Sequence, residues 1–270
     1  MHIITYTMTF LDFIKDLQSK YEYSLSVEEA VSTTGISKDN IRASIRRQVS
    51  QGKLKSVRQG FYIIIPPHHS PYGTLPLSLF VDKLMAYVDQ SYYVGLYSAA
   101  KVYGASHQKV MQEFVMIVQP SIRDIDKGHI RINYSTVKNW PQANLKRHKS
   151  DAGGYMISSP SLTAIDLIKE HGNIGGISAV YTVLEELVEE VNVPDMEALM
   201  SWYPIISNIQ RMGCLLEMIG ADKGIIECIT NRLSNENLFH VDLSKTDDGT
   251  IAYNKKWKVR INKTIESDLW

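Results

Sequence analysis

The sequence predicts an α+β protein: an N-terminal winged helix-turn-helix, then a mixed α/β domain with a C-terminal helical part. Three observations predict it. Residues 26 to 66 run in the order short helix, Gly-Ile-Ser turn, basic helix and two-stranded hairpin. Residues 66 to 76 (PPHHSPYGTLP) hold four prolines and a glycine in eleven positions. Beyond them, short helical spacings and β-rich runs are mixed before a longer series of helical spacings. The expected division is a winged helix over 1–66, a linker over 67–76 and an α+β domain over 77–270, because clustered prolines break helix and strand alike.

The first helix is expected over Thr9 to Lys20, with Phe10, Phe13, Ile14 and Leu17 on one face to close the small core. Ser26 then caps a helix over Val27 to Thr34, where its oxygen accepts free first-turn amides and Glu28 and Glu29 complement the positive end. Gly35 breaks that helix. Ser37 opens the next, which runs to about Gln51 with Ile41, Ile45 and Val49 as its apolar stripe. The basic segment Gly52 to Gly60 and the run Phe61 to Ile65, ended by Pro66-Pro67, predict the hairpin, or wing.

At about 100° per residue, the face opposite the stripe carries Asn40, Ala43, Ser44 and Arg47, with Arg46 at one edge and Arg42 near the lip of the core. Arginine and asparagine can pair with base edges, and flanking cations with phosphates. From Lys38 to Arg58 there are seven Lys or Arg against one Asp, in a chain with 29 basic and 29 acidic residues overall. Positive charge is therefore concentrated here, as nucleic-acid binding requires. The expected DNA contacts are Lys38, Asn40, Arg42, Ser44, Arg46 and Arg47 on the helix and Lys53, Lys55 and Arg58 on the wing. A winged helix can also dock a protein, so order and charge leave that alternative open.

Composition narrows the rest. With 44% hydrophobic and 21% charged residues, 270 residues suffice for two packed domains. No apolar run reaches the roughly 18 residues of a membrane span, and the N-terminus lacks the parts of a secretion signal, so a cytoplasmic protein is expected. Met8 is an alternative start, since Met1 to Thr7 carry no clear structural role. Cys214 and Cys228, with thirteen residues between them, fit buried thiols better than a disulfide or zinc pair. His68 and His69 have no Cys, Asp or Glu within ten residues, so they are assigned to a polar linker and no metal site is expected.

In the second part, Leu79 to Val88 and Ser98 to Tyr103 have helical spacing, Phe114 to Val118 and His129 to Tyr134 are strand-like, and Gly154 to Ile157 forms another strand. Ser159-Pro160 opens a helix over Ser161 to Lys169. Helices follow over Ile177 to Val191, Met196 to Tyr203, Ile205 to Gly220 and Lys223 to Leu233, before an extended end at Trp257 to Asn262.

Several segments together resemble the AbiEi family, the antitoxin halves of AbiE-type phage-defence toxin-antitoxin systems. They are Arg58-Gln59-Gly60-Phe61-Tyr62; Tyr92 to Ala100 with Tyr103-Gly104-Ala105; Ile157 to Ile168, a Pro-initiated helix with a central Asp166; and Asn208 to Glu217, an Arg-apolar-Gly helix. Met212 and Cys214 stand where that family more often has Leu and an aromatic, a change that packing tolerates. The resemblance implies a winged helix that binds inverted repeats in the promoter of its own operon. It also implies a C-terminal domain that neutralises a nucleotidyltransferase-like toxin without a stable complex. No cofactor is expected.

A second basic region holds Arg123, Lys127, Arg131, Lys138, Lys146, Arg147 and Lys149 against Asp124 and Asp126. It is either another phosphate-contacting surface or a solvated hairpin and loop. Lys255, Lys256, Lys258, Arg260 and Lys263 give the last strand a cationic side with the same two readings. Glu185, Glu186, Glu189 and Glu190 read as the solvated side of an amphipathic helix, and Asp166 as a helix-face or capping residue. Gly153-Gly154 and Gly175-Gly176 lack phosphate-loop spacing and read as turns. No catalytic set is expected. The competing functions are a winged-helix regulator with a ligand-sensing α+β domain, and an enzyme on nucleic acid using Asp166 or the glutamates.

Overall fold

The computed structural model describes residues 8–105, 112–245 and 249–265; the expectation for Met1 to Thr7 lies outside the described residues. The elements, in order, are α1 (Phe10–Ser19), β1 (Ser24–Ser26), α2 (Val27–Thr34), α3 (Lys38–Ser50), β2 (Leu54–Arg58), β3 (Phe61–Ile64), α4 (Val81–Tyr87), β4 (Tyr92–Val94) and α5 (Leu96–Val102). Then come β5 (Glu113–Ile117), β6 (Ile125–Lys127), β7 (Ile130–Thr136), β8 (Leu145–Ser150), β9 (Gly153–Ser158), α6 (Pro160–Glu170), α7 (Gly176–Leu187), α8 (Val193–Trp202), α9 (Ile206–Ile219) and α10 (Lys223–Leu233). The chain closes with β10 (Val241–Asp242), β11 (Ala252–Asn254) and β12 (Val259–Ile261). The strands form sheets ordered β1-β3-β2, β6-β7-β5-β4-β9-β8 and β10-β12-β11. The fold is a mixture of helix and strand, as α+β composition requires. Among the described residues no helix is long and apolar enough to cross a membrane.

Contacts divide the chain into two units. The first comprises Met1–Tyr92, Ile117–Thr136 and Arg147–Met156, and the second Tyr93–Met116, Val137–Lys146 and Ile157–Trp270. These units are discontinuous in sequence. Within the first unit, the reason is visible at the β2–β3 hairpin. Arg58 Nη2 donates to the Arg123 carbonyl at 2.6 Å and Lys127 Nζ to Ser56 Oγ at 3.2 Å, so the β6–β7 hairpin is tied to β2. The Pro-rich stretch is not extended throughout, because Pro67–Tyr72 forms a 3-10 helix.

The core of the N-terminal segment joins Phe10, Phe13, Ile14 and Leu17 of α1 to Leu25, Val27, Ala30, Ile41, Ile45, Leu54 and Ile64. Burial of each large aliphatic side chain there contributes roughly 1.5–3 kcal/mol. The α3 stripe differs from expectation at one place: Gln48 is buried at 4% exposure and Val49 is 38% exposed. The reason is angular. Positions 41, 45 and 48 fall within about 60° of one another on a helix, whereas 49 lies about 80° from 41.

In the second unit α6 and α9 are buried along most of their length. Ser159 caps α6, accepting from the Leu162 amide, with Pro160 in the first turn, where a missing N–H costs nothing. Asp166 lies within α6, on a helix face as the sequence suggested, but that face is buried and the residue caps nothing. It is 3% exposed, and its Oδ2 accepts from the Tyr93 hydroxyl at 2.7 Å. Burial pushes its carboxyl up to about 6, against the pull of the Tyr93 hydrogen bond. A carboxyl whose folded pKa is raised favours the fold below its unfolded pKa and loses that contribution as pH rises through about 6. Asp166→Asn, which keeps an acceptor for Tyr93, is therefore expected to flatten the pH dependence of Tm between about pH 4 and 6 and to be at least as stable as wild type at pH 8. Thermal melts across that range check it; an unchanged slope would contradict the assignment.

Candidate nucleic-acid interface

The interface is set by how α2 and α3 begin and end. Ser26 and Glu29 form a reciprocal cap: Ser26 Oγ accepts from the Glu29 amide at 3.0 Å, and the Ser26 amide donates to Glu29 Oε2 at 3.2 Å. Gly35, at φ +70°, ends α2 in the left-handed region. Thr34 Oγ1 accepts from the Ile36 amide and bridges the turn into α3. Lys83 of α4 then fixes α2, donating to Glu29 at 3.0 Å and Glu22 at 2.6 Å.

On α3, Lys38, Asn40, Arg42, Ala43, Arg46 and Arg47 are exposed and Ser44 is half-buried. Sequence periodicity places the outward face correctly. Lys38 Nζ pairs with Glu28 Oε1 at 3.1 Å, and Arg42 with Asp39 at 4.0 Å. Among the described residues Arg46 and Arg47 make no ion pair.

The hairpin residues behave differently. Lys53 is exposed at the turn into β2. Lys55 Nζ donates to the Gly73 carbonyl at 3.0 Å, and the Arg58 guanidinium lies 5.7 Å above the Tyr134 ring while bonded to the Arg123 carbonyl. Both side chains are spent within the first unit, and neither belongs to the exposed face of α3. The hairpin turn is held from below: the Tyr87 hydroxyl donates to the Gln59 carbonyl at 2.9 Å, and the Val27 amide to the Gly60 carbonyl at 2.9 Å. Gly60, at φ +80°, is required twice over, since a Cβ there would also collide with the Tyr87 hydroxyl. Phe61 packs on the Tyr87 ring, with centroids 5.2 Å apart. Glu28, Tyr62 and Tyr87 are the neighbours that sequence reasoning missed. Tyr87 comes from a different helix, and no local spacing signals it.

The second basic region is not one surface. Arg123, Lys127 and Arg131 belong to the β6–β7 end of the six-stranded sheet, where Arg131 pairs with Asp126 at 3.4 Å. Lys146, Arg147 and Lys149 line β8, the strand at the other end, and Arg147 pairs with Asp82 at 3.4 Å. Lys138 is exposed on the stretch before β8. Lysines on an edge strand also block pairing with a foreign strand. At the C-terminus, Arg260 pairs with Asp242 and Lys256 with Glu217, while Lys258 donates to the Leu238 carbonyl. Cys214 is buried as expected, but Cys228 is only partly so.

Residues 93–218 match the profile of the AbiEi antitoxin C-terminal domain. These residues belong to the AbiEi antitoxin family. The AbiEi domain thus starts at β4, inside the second unit, and ends in α9. An antitoxin domain points to an antitoxin role, and such a family implies a toxin partner in general. The fold is similar to the crystal structure of the RV2827C protein from Mycobacterium tuberculosis, at 14% identity, with 92% of this chain and 89% of that chain covered and a TM-score of 0.65. No curated protein shows significant sequence similarity to the chain.

The AbiEi domain holds residues of three of the sequence segments. Tyr93 and Asp166, from the second and third, form the buried hydrogen-bonded pair described above. In the fourth, Gln210 donates to the carbonyls of Phe239 and Trp257, and Arg211 Nε to the Asp242 carbonyl at 2.7 Å. These buried donors fasten the C-terminal strands to α9. Gly213 lies under the Trp257 ring.

Proposed function

We propose that the chain is the antitoxin and transcriptional autorepressor of an AbiE-type operon. Residues 1–66 act as a winged helix-turn-helix on inverted repeats in the operon's promoter, and 67–76 serve as the linker. Residues 77–270 neutralise a nucleotidyltransferase-like toxin encoded beside it. The observation that carries this is the union, in one chain, of an AbiEi domain at 93–218 with an N-terminal segment whose exposed α3 face bears Asn40, Arg42, Arg46 and Arg47. The element order α1-β1-α2-α3-β2-β3, with sheet order β1-β3-β2, supports the winged-helix reading. DNA contacts are assigned to Lys38, Asn40, Arg42, Ser44, Arg46, Arg47 and Lys53. Lys55 and Arg58 act in this reading as braces of the hairpin.

Enzymatic use of Asp166 has no support in the geometry, because its carboxyl is buried and bonded to Tyr93. The toxin arm is tested by inducing the neighbouring gene in a bacterial host, alone and with this chain. Growth arrest that the chain relieves is the expected result. A neighbour that is harmless, or arrest that the chain leaves untouched, would favour a regulator with a ligand-sensing domain instead.

A further inference from the structure

We infer that the cleft between α3 and the β2–β3 turn is a seat for a DNA backbone phosphate, with Lys38, Arg42 and Arg46 as its ligands and Glu28 as an internal counter-ion that the phosphate displaces. This rests on the DNA-binding reading above and divides the α3 face by role. The cleft has a volume of about 620 Å³, and Lys38, Arg42, Arg46, Glu28, Tyr62 and Tyr87 are among the residues that line it. Lys38, Arg42 and Arg46 recur every four residues, so they form one stripe along the flank of α3 beside the hairpin. Asn40, Ala43 and Arg47 point about 100° or more away from the centre of that stripe. The two sets cannot meet the same part of a duplex.

Chemistry separates them further. The flank offers three cations, which suit a phosphate, and Tyr62 and Tyr87 also line the cleft. Arg47 and Asn40 are the residue types that pair with base edges, and Ala43 leaves room for the helix to approach. Opposite the three cations stands one carboxylate. Glu28 bonds Lys38 at 3.1 Å, and that bond holds its carboxyl below the usual range. A phosphate entering the cleft takes over Lys38 and releases Glu28 to solvent. The wall against which it sits is rigid, since Tyr87 pins the Gln59 carbonyl and leaves no space for a side chain at position 60.

The test is equilibrium binding of full-length protein to a labelled duplex from upstream of its own gene and to a scrambled duplex of equal length, over a salt series. Arg42→Ala is expected to weaken both duplexes by the same factor, roughly tenfold, and to reduce the slope of log affinity against log salt by about one. Glu28→Gln is expected to tighten both by a common factor of a few. Arg47→Ala serves as the contrast, with its loss concentrated on the native duplex. Wild type that prefers its own duplex while Arg42→Ala weakens that duplex alone would overturn the phosphate seat and make Arg42 a base reader. Unchanged affinity in Glu28→Gln would overturn the counter-ion. Wild type that binds neither duplex would overturn the DNA-binding reading itself, and the seat with it. Both substituted side chains are largely exposed, so circular dichroism of the variants should match wild type.

Discussion

Gly213→Val is expected to destabilise the chain by more than about 3 kcal/mol, a fall of roughly 6–12 °C in Tm. A Cβ at position 213 would lie 2.7 Å from Trp257 Cη2 and nearer still to two other ring atoms. The indole cannot step aside. Trp257 is 1% exposed, its Nε1 donates to Glu217 at 2.7 Å, and its carbonyl accepts from Gln210 at 2.8 Å. Overpacking alone costs about 1–3 kcal/mol, and a branched side chain under a fixed ring adds the loss of the contacts that seat β10–β12 on α9. Gly213→Ala is the milder step, because the gain in helix propensity, about 1 kcal/mol, offsets part of the clash. Combined with Trp257→Ala, Gly213→Val should cost at least about 1 kcal/mol less than the sum of the single changes. Additive effects would mean that the two residues do not press on each other.

The second large effect is expected at Arg47. Replacing it with alanine removes a side chain that can bond two base acceptors at once, a change of about 1–3 kcal/mol in discrimination. Affinity for the native promoter should fall roughly tenfold to a hundredfold, with a much smaller change on scrambled DNA. Repression of a promoter reporter should fall with it. Relief of toxin-induced growth arrest should remain, because Arg47 lies outside the AbiEi domain. Loss of both activities in a variant that melts like wild type would contradict this division of labour.

Much of the molecule could be read from local sequence, and the parts that could not have physical reasons. Ser26 with Glu29, Gly35 and Ser159-Pro160 fix helix ends by satisfying or removing free backbone groups, so α2, α3 and α6 appear near their expected limits. The strand β8, LKRHKS, escaped notice because an edge strand with exposed charges lacks the apolar alternation that marks a half-buried one. Three-residue strands such as β1 are too short for any period to register. The exposed face of α3 was legible because helical geometry alone determines it. What each cation does was not, since Arg58 is taken up by a carbonyl 65 residues away. The burial of Asp166 was equally hidden, as its partner Tyr93 lies 73 residues earlier. Gln48 replaced Val49 in the stripe for a smaller reason: an i+7 position lies closer to the stripe than an i+8 position when both are counted from Ile41.

The most direct measurement is the ratio of wild-type affinities for the duplex upstream of its own gene and a scrambled duplex, taken at several salt concentrations. The account predicts a preference of at least about a thousandfold for the native duplex near physiological salt, with both affinities falling steeply as salt rises. Equal affinities, or none, would contradict operator recognition by α3 and leave the N-terminal segment as a protein-docking module.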